Sequence, residues 1–194
     1  MLSVRWEPHC TRISLHRMFL RAPSNVMDEL TCYLRREVKS IAPAINRFIE
    51  TNLQRLDYSD HVNPTKLYSR GEYYDLEKIY HTINKEYFNN SLELKITWFG
   101  KPKYRRRSRM TLGLYHDHLR LVKIHRFLDS PVVPTYVISY VVYHEMLHHV
   151  CRAYYDNQGR HKIHTKEFKK REEEYKHFTL AKEWILKNQN TIFY

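Results

Sequence analysis

The sequence predicts an α+β fold: a small three-stranded sheet packed on one apolar helix and flanked by further helices, preceded by an N-terminal, mainly helical extension. Three observations carry that expectation. The stretch "DLEKIYHTINKEYF" places Leu76, Ile79, Tyr80, Ile83 and Tyr87 at helical spacing behind Asp75, a capping residue type. After the turn "NNS", the stretch "LELKITWF" alternates as a strand, and "MTLGLYH" with "LRLVKIH" reads as a hairpin around His116, Asp117 and His118. Then "DSPVVP" opens an apolar helix from about Thr135 to Cys151, and the polar loop "RAYYDNQGRHKI" separates it from a last helical region, about 164–188, carrying Phe168, Phe178, Ala181 and Trp184. The strands are grouped rather than interleaved with helices, which distinguishes α+β from βαβ.

Residues 1–70 form the extension, and 71–194 the domain just described. A short extended stretch near "RISLHRMF" leads to a helix from about Val26 with Leu30, Leu34, Val38 and Ile41 on its apolar side. Pro43 starts a second helix using Ile45, Phe48, Ile49, Leu53 and Leu56. "DYSDHVNPTKLYSRGE" is linker-like in composition. One echo links the two parts. "ISLHRMFLRAPSNV" and "VKIHRFLDSPVVPTYV" each run from an extended segment through His-Arg and apolar residues to Pro and a helix, with a two-residue gap between them.

The chain is long enough, at 194 residues, to bury a sizeable core without disulfides. Its cysteines, Cys10, Cys32 and Cys151, are odd in number and form no Cys-x-x-Cys pair, which fits a reducing, cytoplasmic setting. The N-terminus is interrupted by Arg5, Glu7, His9 and Arg12, so it lacks the apolar run of a signal peptide. The longest apolar run, Val132 to Val142, contains Pro134 and Ser139 and is too short to span a bilayer, so no membrane partner is expected.

The formal net charge of +12 is concentrated. Residues 99–126 carry nine Lys/Arg against Asp117, and residues 152–171 carry seven against Asp156 and Glu167. These two segments bracket the apolar helix, a pattern that suits DNA or another polyanion near it, with Arg105, Arg106, Arg107 and Arg109 as the candidate contacts.

The middle of that helix reads "VVYHEMLHHV". His144 and His148 are four residues apart, so their rings project one turn apart from one face, as needed to grip a single metal ion. Glu145 is rotated about 100° from His144, near enough to contact a metal-bound water without being a ligand. His149 lies a further step round, off that face. Histidine and glutamate are costly to bury unpaired, and ligation would satisfy them among Val141, Val142, Met146, Leu147 and Val150. A catalytic zinc needs a third protein ligand and an open position. Cys151 and Tyr154 stand where a metzincin needs Gly and His. The candidates are Glu167, Glu172, Glu173 and Glu174, as in a thermolysin-like site, or His161 or His164; His164 is preferred because it opens the "HTKEF" helix with Phe168 one turn on to pack it.

"YFNNSLELKITW", "LGLY", "VVPTYVISYVVYHEMLHH", "HTKEF" and "LAKEWI", in that order over about residues 71–188, resemble the SprT-like zinc metalloprotease domain, the SprT and Spartan group. The resemblance implies a zincin fold of the minigluzincin-like kind. It also implies one zinc ion on His144, His148 and His164, with Glu145 as the catalytic carboxylate. The implied activity is a zinc metalloendopeptidase that hydrolyses peptide bonds with a zinc-activated water. Proteins associated with DNA are the implied substrate class. The chain departs from several members in having no Cys-x-x-Cys pair for a zinc ribbon, and residues 1–70 lie outside the resemblance.

Tyr154, Tyr155 and His161 are candidate oxyanion donors, Glu167 a candidate for orienting a ligand, and His116 with His118, flanking a turn, a candidate pair for a second metal. The competing class is a nucleic-acid-binding module with a structural, non-catalytic metal. Glu145 speaks against it, because a structural site prefers four protein ligands and has no use for an adjacent carboxylate.

Overall fold

The structure, a computed structural model, describes residues 2–53, 56–101, 111–156 and 160–193, the last five of these in backbone only. The fold is α+β, and six α-helices are present among the described residues. Arg105, Arg106, Arg107 and Arg109 lie outside the described residues. The chain divides into two compact units: Met1–Leu56 with Ala153–Ile163, and Asp57–Arg152 with His164–Tyr194.

In the first unit, β1 (Leu2–Trp6) and β2 (Thr11–Leu15) form an antiparallel hairpin in which Arg5 pairs with Arg12 across the strands. Helices α1 (Ser24–Leu34) and α2 (Pro43–Leu53) follow, and their core is Phe19, Val26, Leu30 and Ile45 with Phe48 against Phe19. The expected first helix is shorter than its apolar spacing suggests, and Val38 and Ile41 are not on it. Arg36 takes a left-handed φ of 61°, the Arg36 amide bonds to the Tyr33 carbonyl and the Glu37 amide to that of Cys32. That pair of bonds closes a helix C-terminus in the manner usually marked by Gly, and Arg gives no such sign in the sequence. A small ribbon, β6 (Tyr154–Tyr155) with β7 (His161–Lys162), belongs to this unit.

In the second unit, α3 (Leu76–Phe88) begins at Asp75, whose carboxylate accepts from the amides of Glu77 and Lys78. Three strands, β3 (Lys95–Phe99), β4 (Gly113–His116) and β5 (Leu121–His125), form a sheet in the order β3-β5-β4, with β3 parallel and β4 antiparallel to β5. Among the described residues, strand β4 is therefore an edge. Helix α4 (Thr135–Val150) is central: nine of its 16 residues are buried, the pattern of a helix covered nearly all round.

The linker-like segment is fastened down. The Trp98 amide donates to the Tyr68 carbonyl (2.9 Å), the Tyr68 amide to Thr97 Oγ1 (2.9 Å), and Asp129 accepts from the amides of Glu72, Tyr73 and Tyr74 (2.7–3.0 Å). The expected single last helix is two, α5 (Lys166–Glu173) and α6 (Phe178–Phe193). Between them Tyr175 is buried, stacks on Tyr143 with ring centroids 5.5 Å apart, and donates its hydroxyl to the Tyr136 carbonyl. Long-range aromatic packing makes this break, and neither Gly nor Pro marks it.

The echoed segments share local structure. His16 and His125 each end an extended segment and cap a 3-10 turn through Nδ1, accepting from Met18 and Phe127 amides respectively. Pro23 and Pro134 then stand at the N-caps of α1 and α4.

Candidate metal centre

Helix α4 sets His144 and His148 one turn apart, with ring centroids 5.0 Å apart. His164 completes a nearly equilateral triangle at 5.1 Å from each. One ring nitrogen from each of the three lies within 4.8 Å of the others, close enough for one metal ion. Local structure explains the placement of His164. It sits one residue before the N-cap Thr165 rather than opening α5, and Thr165 Oγ1 accepts from the Phe168 amide at 3.1 Å. That cap starts the helix so that Phe168, 0% exposed, lies 4.7–5.0 Å from all three imidazoles and forms their apolar floor.

The surroundings of His148 and His164 favour the neutral imidazole, which is the ligating form. Burial and its neighbours His144 and His164 push His148 down to about 3. Burial, with His144, also lowers His164. His144 Nδ1 lies 2.7 Å from Glu172 Oε1, which accepts the Tyr140 hydroxyl as well, at 2.7 Å. Nδ1 is thereby occupied, leaving Nε2 for an ion. Burial would raise the Glu172 carboxyl, but the bonds from His144 and Tyr140 outweigh it and hold the group at about 2.

Glu145 has a different environment. Only 6% exposed, it is pushed up to about 7 by burial, which His144 offsets only in part. It packs on the edge strand at Gly113, where an added Cβ would stand 2.5 Å from Glu145 Oε1 and 2.6 Å from its Cγ. Any larger residue there would force the Glu145 side chain to shift.

The other candidate residues fall elsewhere. His149 Nδ1 meets the Tyr115 hydroxyl of β4 at 2.7 Å, and that hydroxyl is 3.2 Å from Asp117 Oδ1. Glu167 is exposed and pairs with Arg171. Tyr154, Tyr155 and His161 are in the ribbon of the first unit, with Tyr155 and His161 stacked at 4.5 Å. The His116 and His118 rings are 6.4 Å apart, and among the described residues no third donor joins them in a metal-holding group. In the second basic segment Arg160 and Lys162 close on Asp156, and Arg171 on Glu167. Cys10, Cys32 and Cys151 are free thiols.

Sequence reasoning missed Gly113 and Tyr140, and treated Glu172 only as a possible ligand. A signal for Glu172 existed: it is four residues after Phe168, on the buried side of a short charged helix. Comparison with protein-family models, curated proteins and solved structures returns no match. No helix among the described residues is long and apolar enough to cross a membrane.

Proposed function

We propose that the protein is a zinc-dependent metallopeptidase of the SprT-like, minigluzincin-like kind, with His144, His148 and His164 as zinc ligands and Glu145 as general base. The observation that carries this reading is the conjunction of three clustered imidazoles with a buried carboxylate, pushed up to about 7, on the helix that carries two of them. The donor set fits: three imidazole nitrogens suit zinc and leave a fourth position open, as a catalytic rather than a structural site requires. Zinc, when bound, supplies Lewis acidity toward the scissile carbonyl and acidifies a water.

The rest of the chemistry belongs to the chain. Glu145 takes the proton of the attacking water and returns it to the leaving amine; a carboxylate pushed up toward neutral pH can do both. Gly113 lets that carboxylate lie against β4, and Phe168 keeps water from beneath the imidazoles. The two basic segments support proteins held on DNA as the substrate class.

The test is Glu145→Gln, with zinc content and cleavage of casein or of the chain itself measured together. The expected result is one zinc per chain retained and cleavage reduced roughly 10²–10⁴-fold. Wild-type protein that cleaves nothing, with or without DNA, overturns the peptidase reading. Replacing Arg105, Arg106 and Arg107 together is expected to weaken DNA binding and flatten its salt dependence; unchanged curves refute the DNA link.

A further inference from the structure

Helix α5, "KEFKKREE", is strongly charged, yet it buries one carboxylate: Glu172 is 8% exposed. A buried carboxylate is expensive unless partnered, so its partners indicate what it does. Both come from α4 and meet the same oxygen. The Tyr140 hydroxyl donates to Oε1 at 2.7 Å, and His144 Nδ1 lies 2.7 Å from it. A carboxylate accepts, so Nδ1 must carry the proton and the lone pair of a neutral imidazole must sit on Nε2. Oε1 thus has two donors already.

Fastening α5 to α4 does not explain the arrangement. The Tyr143 hydroxyl of α4 donates to the Arg171 carbonyl of α5 at 2.6 Å, the fully buried Phe168 of α5 packs on the His144 and His148 rings of α4, and just past the end of α5 the Tyr175 hydroxyl donates to the Tyr136 carbonyl at 2.9 Å. These ties hold the two helices together without Glu172.

We infer that Glu172, itself held by Tyr140, is a positioning residue that fixes the tautomer and ring orientation of His144, so that Nε2 is presented to the metal. The inference rests on the metal-centre reading above. Glu172 contributes in two ways: it removes the alternative tautomer and ring rotations, and its negative charge makes the opposite nitrogen a stronger donor. Tyr140 fixes Oε1 in turn, so the order of action runs from Tyr140 through Glu172 to His144. The carboxylate that a thermolysin-like pattern would supply as a ligand here acts one bond further out.

The experiment uses the full chain with Glu172→Ala, Glu172→Gln and Tyr140→Phe. Zinc affinity is read by competition with a chromogenic chelator, melting of the metal-free protein is read in parallel, and the visible spectrum of the cobalt-loaded protein reports ligand geometry. Alanine is expected to weaken zinc binding about 10–100-fold and to alter the cobalt spectrum. Glutamine, whose Oε1 still accepts from Nδ1–H, is expected to restore most of that loss, and Tyr140→Phe to fall between glutamine and alanine. Should alanine destabilise the fold, glutamine and Tyr140→Phe still report, because each keeps the buried volume.

Zinc affinity within about twofold of wild type in all three variants, with only the melting temperature lowered, overturns the positioning role, as does glutamine giving no rescue. His148→Ala separates the two readings. If it abolishes zinc binding while the Glu172 variants do not weaken it, this inference alone fails. If wild type and His148→Ala bind zinc equally, the metal-centre reading fails and takes this one with it.

Discussion

Glu145 and Glu172 are buried almost equally, 6% and 8% exposed, and their carboxyls shift in opposite directions, to about 7 and about 2. Burial acts on both the same way. The difference is what each meets: Glu145 lies against the edge strand at Gly113, whereas Glu172 takes two donors on one oxygen. A carboxylate kept basic near neutral pH suits proton transfer, and one held ionised suits fixing a neighbour. Partners, more than depth, divide the work.

The largest break in that comparison comes from removing a histidine of the cluster. His144→Ala or His148→Ala is expected to weaken zinc binding at least about 10²-fold, beyond the loss from an outer partner, as measured by chelator competition. Next is the Glu145 side alone. Gly113→Ala places a Cβ 2.5 Å from Glu145 Oε1, so the carboxylate must move. Cleavage should fall by roughly 10²-fold and stability by about 1–3 kcal/mol, while zinc content holds. Unchanged turnover would show that Glu145 does not need its place beside β4.

The third prediction concerns pH and the metal-free protein. Glu145, at about 7 folded against 4.5 normally, keeps a proton that the unfolded chain releases. Its contribution is full below about pH 4.5 and is lost as pH rises through 7. His148 runs the other way: pushed from 6.5 to about 3, it contributes above pH 6.5, and that contribution is lost as pH falls toward 3. The two slopes oppose between pH 4.5 and 6.5. Glu145→Gln removes the falling one, so relative to wild type the variant should gain about 1–3 kcal/mol between pH 4.5 and 7.5 in urea unfolding with chelator present. A difference that does not change with pH would mean that Glu145 titrates normally. The smallest effect belongs to Tyr115→Phe, which removes a hydroxyl between His149 and Asp117. A loss of about 1 kcal/mol in stability and less than about threefold in cleavage is expected; a large loss of cleavage would bring His149 into the site.

Much of this was legible locally. The His-Glu-x-x-His spacing puts two imidazoles on one face of any helix that forms there, and the apolar residues around it ensure that one forms. Asp75 marks a helix start by accepting from amides two and three residues on, and Pro43 marks another by its fixed φ at the first helical position. The features that were not legible all depend on distant partners or on residues acting against type. Arg36 ends α1 in a conformation usually left to Gly, and Tyr175 breaks the last helix by stacking on Tyr143, a residue of α4. The linker-like segment is held by Thr97, Trp98 and Asp129, which its own composition cannot announce.

By itself, then, the sequence determined the α+β class, the paired histidines of α4 and the carboxylate beside them, because these follow from spacing along one helix and from alternation along strands. Only the tertiary structure decided that His164 closes the triangle, that Gly113 lies against Glu145, and that Glu172 meets His144 Nδ1 without joining the three-histidine group. Each of those joins elements 28 or more residues apart, or a residue outside the helix to one on it, and such contacts depend on how the elements pack.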